Sequence, residues 1–331
     1  MSKSIGIILV ILGHTFDIPN NLYLSIFSFH MPIFFILSGM VFNKNKNINM
    51  GFGNFIKKRF FQYMIPYYIF GFVDLVIEIM WRIAVTKKNV DFSYIIGSIK
   101  GIMLCSYDLP IFATPIWFLF CLFVSNLIFF QILKLRLRNQ CIIICFSLLL
   151  HYILITWIKD CVPYMVNFPN FVLSTFFMWI GYNYKYLIDK FYLFLNSSII
   201  IIIDFVLVFF SFYLVILTQN KVNLRSNTFG NYFVFLFSSI LISLGLIFII
   251  KKFIFLKNSF LLWLGQNTMY IIGFNYVCMF IGVELYYLMP FVKNHSIHWT
   301  ANFIITFVLC LISICICKKI RKLFSEIVSN K

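Results

Sequence analysis

The chain of 331 residues is 62% hydrophobic and only 11% charged, with a mean hydropathy of +0.95, far more apolar than a soluble core requires, so a soluble globular protein is excluded. A formal net charge of +17 would suit nucleic acid in a soluble protein, but the cations collect in alternate loops between apolar runs, which assigns them to a membrane surface and excludes a nucleic-acid partner. Apolar runs of about 20 residues recur from end to end, each able to cross a hydrocarbon layer of roughly 30 Å. The expected fold is therefore all-α: a polytopic transmembrane helical bundle of about ten spans. It forms a single integral membrane domain over residues 1–331, with no soluble extracellular domain.

In chain order the spans read 4–18, 22–42, 60–83, 111–133, 140–158, 164–183, 191–217, 229–250, 259–282 and 299–317. The first carries Lys3 and His14 and runs into a second span without a small-residue cleavage site, so it reads as a mature helix rather than a signal. Nineteen of the 27 Lys and Arg residues then fall on the side of the N-terminus and eight on the other. This positive-inside asymmetry makes both termini cytoplasmic and turns His14 toward the outer half of the membrane. The segment 84–110 is too polar to span at Lys87-Lys88-Asn89 yet apolar from Tyr94 to Leu104, and is expected as an external interfacial helix. No internal repeat or heptad pattern is present. Nine cysteines are scattered through apolar segments without metal spacing and read as small core hydrophobes. Abundant Phe, Ile, Asn, Lys and Tyr share AT-rich codons, which points to a low-GC bacterial genome and a multi-pass protein of the bacterial cell membrane.

Ten residues separate Lys3 from His14, so at 3.6 residues per turn the two share one helix face about three turns apart. His14 reads as a base that takes a proton from a hydroxyl attacking a carbonyl, or as a hydrogen-bonded interfacial histidine. His30, near mid-membrane in the second span, has either a site role or a structural hydrogen bond to a neighbouring helix. Pro32 should kink the helix beside it and free a carbonyl. Asp74, Glu78 and Arg82 recur every four residues as one stripe. They form an internal ion pair, or else an acid orients an imidazole or binds acceptor hydroxyls. Asp204 is an isolated carboxylate in an apolar span and needs a partner that sequence does not reveal. Lys57-Lys58-Arg59 is an anchor to anionic lipid or a grip on phosphates. His151 is unsupported, and His295 with His298 makes a poor metal site, so no metal is expected. Trp117 belongs to the interface, the core or a cavity wall.

Lys3-Ser4-Ile5-Gly6-Ile7 through Leu12-Gly13-His14, followed by Phe29-His30-Met31-Pro32-Ile33-Phe34-Phe35-Ile36-Leu37-Ser38-Gly39, resembles the opening of the acyltransferase 3 family, bacterial integral membrane acyltransferases that are often O-acetyltransferases of surface sugars. The His-Met-Pro form at the second helix is similar to fucose-4-O-acetylase-like members. Weaker likenesses follow at Lys58-Arg59-Phe60-Phe61-Gln62 with Ile65-Pro66-Tyr67, at Pro115-Ile116-Trp117-Phe118-Leu119, and at Gly265-Gln266-Asn267-Thr268-Met269-Tyr270. Gln62 and Asn275 stand where many members have Arg and His, so neither inherits a role.

The resemblance implies a membrane O-acyltransferase, most often an O-acetyltransferase, that moves an acyl group from acetyl-CoA to a hydroxyl of a cell-surface sugar, polysaccharide or lipid-linked glycan precursor. It implies His14 and His30 as catalytic residues, Lys3 and Arg59 on the donor phosphates, and Trp117 as a cavity wall; Asp74 and Glu78 are carried as acceptor-binding candidates. Acetyl-CoA is expected as a substrate, with no cofactor permanently bound. The expected partners are the glycan acceptor and membrane lipids, and a homodimer is left open. The rival class is a transporter or flippase for lipid-linked sugars, which also needs many spans and buried ionisable groups, but such proteins commonly show a repeated half.

Overall fold

The computed structural model describes residues 1–87, 89–106, 108–157, 168–191, 197–252, 258–288 and 298–329. These are helices joined by turns, with a single isolated antiparallel bridge between Asn223 and Thr228. Among the described residues, eight helical stretches are long and apolar enough to cross a membrane: Asn20–Met40, Phe52–Ala84, Thr114–Ile132, Leu137–Thr156, Ile200–Leu217, Tyr232–Lys252, Thr268–Tyr287 and Trp299–Leu323. They coincide with eight of the ten expected spans. The other two are α1 (Ser2–Gly13), which has only 12 residues, and α10 (Phe168–Phe191), which has 24.

The first expected span, 4–18, is corrected to a shorter helix. α1 stops at Gly13 and His14 is its C-cap, because Asp17 turns into the left-handed region at φ 57° and Pro19 follows. A helix of this length rises about 18 Å, so its end stays within the membrane. The second span is broken rather than continuous. α2 (Asn20–Phe27) and α3 (Pro32–Met40) are separated by a turn at residues 28–31 that contains His30. Pro32 is the cause, since it has no N–H for the Ser28 carbonyl and occupies the first turn of the new helix.

The basic stretch starts earlier than expected. α4 (Lys44–Asn49) leads into α5 (Phe52–Arg59), which passes through a π-helical turn, Phe60–Met64, into α6 (Ile65–Ala84). The wide turn, closed by Ile65 N–H to the Phe60 carbonyl, lies immediately before Pro66, where an ordinary helix would meet a proline ring and a missing donor. α7 (Phe92–Leu104), at 13 residues, is too short to cross and packs on α6, in keeping with the interfacial expectation for this segment. α8 (Trp117–Ile132) and α9 (Leu137–Thr156) precede α10, and α11 (Ser197–Leu217) pairs with α12 (Tyr232–Lys252). α13 (Ser259–Gln266), α14 (Thr268–Tyr287) and α15 (Trp299–Ser329) complete the order, with α14 packed along α15.

Two contacts position the site. α3 and α10 cross with their backbones almost touching: a Cβ added at Gly39 would run into the Met178 carbonyl, and one at Gly181 into the Ile36 carbonyl. Small residues at both contact points permit such an approach where van der Waals packing is the main attraction. At the basic end, the Ser4 hydroxyl donates to the Leu261 carbonyl of α13, and Lys318 Nζ of α15 lies 5.2 Å from the Trp263 ring centre. The start of the first helix and the basic turn of the last therefore share one end of the bundle. Cys105, Cys121, Cys278 and Cys310 are buried, and no disulfide joins the cysteines among the described residues.

Candidate functional site

His14 is held at the end of α1 and His30 in the break between α2 and α3. The short helix and Pro32 bring their rings together, with centroids 6.1 Å apart in an edge arrangement. Phe27 packs on both, at 5.3 Å from His14 and 4.6 Å from His30. The His30 Nδ1 lies 3.0 Å from the Ile26 carbonyl, which only accepts, so Nδ1 carries the hydrogen and Nε2 of the neutral ring keeps its lone pair. His14 Nδ1 is 3.4 Å from the Tyr276 hydroxyl. When Nδ1–H of His14 donates to that oxygen, its Nε2 is likewise a free acceptor.

The two imidazoles line a cavity of about 90 Å³ together with Met31, Trp117, Asn223, Arg225 and Tyr276. One water takes about 10–15 Å³ of such space, so there is room for a small acyl group and one hydroxyl-bearing carbon. Trp117 is 7% exposed and lies in the lining of this cavity.

Lys3 and Arg59 meet at a second cavity, of about 150 Å³, toward the basic end, with Ser38, Gln62, Tyr63 and Thr268 in its lining. Arg59 projects from the end of α5 at the π-helical turn. Its guanidinium lies 5.0 Å from the Phe55 ring centre and donates from Nη1 to Gln62 Oε1 at 2.6 Å, while its buried Nε has no hydrogen-bond partner among the described residues. Among the described residues, no acidic side chain lines either cavity. Two cations and an unused donor around a hollow fit an anionic ligand.

Phe34, four residues after His30, and Phe118, next to Trp117, line the cationic cavity with ring centroids 5.7 Å apart. Phe34 also lies against Gly6 of α1, where an added Cβ would come within 3.1 Å of the ring. The glycine leaves the ring room to lie against α1.

The acidic stripe of α6 lies elsewhere. Glu78 Oε1 accepts from Arg82 Nη2 at 2.8 Å and from the Tyr94 hydroxyl at 2.5 Å, and Oε2 accepts from the Phe112 backbone N–H at 3.1 Å. This carboxylate ties α7 and the strand of chain before α8 to α6, which is the ion-pair alternative weighed for it. Asp74 is fully buried without a hydrogen-bond partner among the described residues, and neither acid lines the two cavities. Glu78→Gln is expected to lower unfolding free energy by about 1–3 kcal/mol and to speed hydrogen exchange in Phe92–Leu104, with KM for both substrates unchanged. A raised acceptor KM at unchanged stability would instead favour an acceptor-binding role for Glu78.

Other candidates resolve locally. His151 is buried with Nδ1 2.8 Å from the Tyr232 hydroxyl, and His298 Nδ1 lies 2.6 Å from Thr300 Oγ1. His295 is outside the described residues. Asp204 Oδ2 is buried with no hydrogen-bond partner among the described residues. Sequence reasoning missed Tyr276, Asn223 and Arg225, which join the histidines in the cavity lining from α14 and the turn before α12, far away in the chain; no spacing signal connects them to His14.

Membrane-length helices that hold a cation-lined cavity and an imidazole-lined cavity define a multi-pass membrane protein. The chain belongs to the acyltransferase 3 family: that family's model, described as an acyltransferase domain, matches residues 2–318. A search of curated proteins and one of solved structures each returned no significant match. Membership makes the protein a membrane O-acyltransferase.

Proposed function

We propose that the protein is an O-acetyltransferase of the bacterial cell membrane, which moves the acetyl group of acetyl-CoA to a sugar hydroxyl of a cell-surface polysaccharide or lipid-linked glycan precursor. The observation that carries this reading is the pairing of the two cavities along α1, with Lys3 in the lining of one and His14 in the lining of the other. Eleven residues at 1.5 Å rise separate these side chains by about 16 Å along the axis, a reach suited to the extended pantetheine arm of a phosphate-anchored donor. Lys3 and Arg59 bind the donor's phosphates from the cytoplasmic side. The acyl thioester extends past the Phe34 and Phe118 rings toward the histidines.

In the transfer, His14 Nε2 accepts the hydroxyl proton of the acceptor as its oxygen attacks the thioester carbonyl. The new C–O bond forms, the C–S bond breaks, and the imidazolium returns the proton to the departing thiolate. His30 positions the acceptor: its free Nε2 lone pair accepts a hydrogen bond from a hydroxyl, whereas support of an oxyanion requires a donor there. Trp117 forms the apolar wall of the acceptor space.

The test is transfer of labelled acetyl from acetyl-CoA by membranes carrying the protein, with surface polysaccharide stripped of its esters by mild alkali as acceptor. Lys3→Ala is expected to raise the KM for acetyl-CoA by about tenfold and Lys3→Arg by much less, since a charge-assisted bond to phosphate is restored. Equal effects of the two substitutions would reduce Lys3 to a structural role. Passage of an unmodified acceptor across the membrane without acetyl-CoA consumption would favour the flippase alternative.

A further inference from the structure

The Asn223–Thr228 turn has two faces. One supplies Asn223 and Arg225 to the histidine cavity. The chain running on from the other borders a wider hollow of about 410 Å³, completed by α9, which is more than four times the histidine cavity in volume. Small-ligand clefts span roughly 300–1,000 Å³, so this hollow is of ligand size.

Among the described residues that line it, none is charged. Its walls are ring faces and neutral hydrogen-bonding groups. Tyr152 and Phe233 stand 6.2 Å apart at 35°, and Tyr152 and Tyr232 5.5 Å apart at 48°; Thr156, Asn227 and Asn231 supply a hydroxyl and amides. The platform is fixed from beneath, because buried His151 bonds the Tyr232 hydroxyl and stacks on that ring with centroids 5.4 Å apart. The turn itself is braced by Asn223 N–H to the Thr228 carbonyl at 2.7 Å and Thr228 N–H back to Asn223 at 2.9 Å, and Asn231 N–H donates to Asn220 Oδ1 at 2.6 Å. Phe233 is nevertheless 73% exposed.

Aromatic residues at a membrane surface ordinarily form a belt facing lipid. These rings instead line a concavity joined through one braced turn to the histidine cavity. A sugar is the chemistry that meets both kinds of surface at once, with C–H faces against the rings and hydroxyls to the amides and threonine. We propose that this hollow is a glycan subsite, holding the sugar unit adjacent to the one that presents its hydroxyl to His14. The inference rests on the acceptor reading given above. It makes the turn a spacer that sets which unit along a glycan reaches the histidines.

The test uses the full chain in lipid nanodiscs and the de-esterified surface polysaccharide, cut into oligosaccharides and single sugars. Phe233→Ala and Tyr152→Ala, both at exposed positions, are expected to weaken oligosaccharide binding about tenfold in calorimetry and to raise the oligosaccharide KM by the same factor. Transfer to single sugars and the KM for acetyl-CoA should not change. Wild-type behaviour of both variants with oligosaccharides, or equal losses with oligosaccharides and single sugars, would overturn the subsite. A defect seen only with plain phospholipid vesicles would overturn it in favour of lipid. Ring-dependent binding without any acetyl transfer would keep the subsite and defeat the acetyltransferase reading; His14-dependent transfer without ring dependence would do the reverse.

Discussion

His14→Ala is expected to cut acetyl transfer by about 10²–10⁴-fold at matched expression, the range general-base catalysis supplies. His14→Gln is the sharper version, since it keeps a polar side chain that can still meet the Tyr276 hydroxyl while removing the imidazole nitrogen that takes up a proton. Both variants should retain the wild-type melting temperature, because His14 lies at a helix end beside a cavity and not in the packed core. A fully active Gln variant would end the assignment of proton transfer to this residue. A larger loss from His30→Ala than from His14→Ala would exchange their roles, which is a real alternative, as the Ile26 carbonyl leaves Nε2 of His30 able to accept.

Gly181→Val should destabilise the protein by about 1–3 kcal/mol or more, read as a lower melting temperature in detergent. The side chain would enter space occupied by the Ile36 carbonyl, and no rotamer change relieves a clash with backbone. Gly39→Val, which meets the Met178 carbonyl, should act alike, and the double variant should cost less than the sum because the first substitution already separates α3 from α10. Since α3 follows directly from the turn that holds His30, activity should fall with stability in both. An unchanged melting temperature would mean that the two helices are not in backbone contact.

Fold class was legible in this sequence because apolar length is a strong signal, and ten segments were placed where helices stand. The geometry within the first two was less legible. Pro32 announced a kink, but the full break at residues 28–31 depends on how Ser28 to Met31 turn, and the early end of α1 depends on the left-handed backbone at Asp17. Those two departures bring His14 and His30 into one cavity. Lys3 and Arg59 were paired through family likeness, whereas the cavity they both line depends on how the start of α1 packs near the end of α5, which no local pattern in the sequence reveals. Glu78 was ambiguous for another reason: its partners Tyr94 and the Phe112 backbone come from a later hairpin of the chain, and periodicity within α6 cannot reveal them.

The Phe34 and Phe118 rings carry a consequence for the cell. Each elementary charge that crosses a membrane down a 100 mV potential dissipates about 2.3 kcal/mol, so cavities inside a membrane bundle must not join into a continuous wet path. These two rings, 5.7 Å apart with Phe34 lying against Gly6, put apolar surface into the wall of the cationic cavity, where hydrated ions and water chains find no partner.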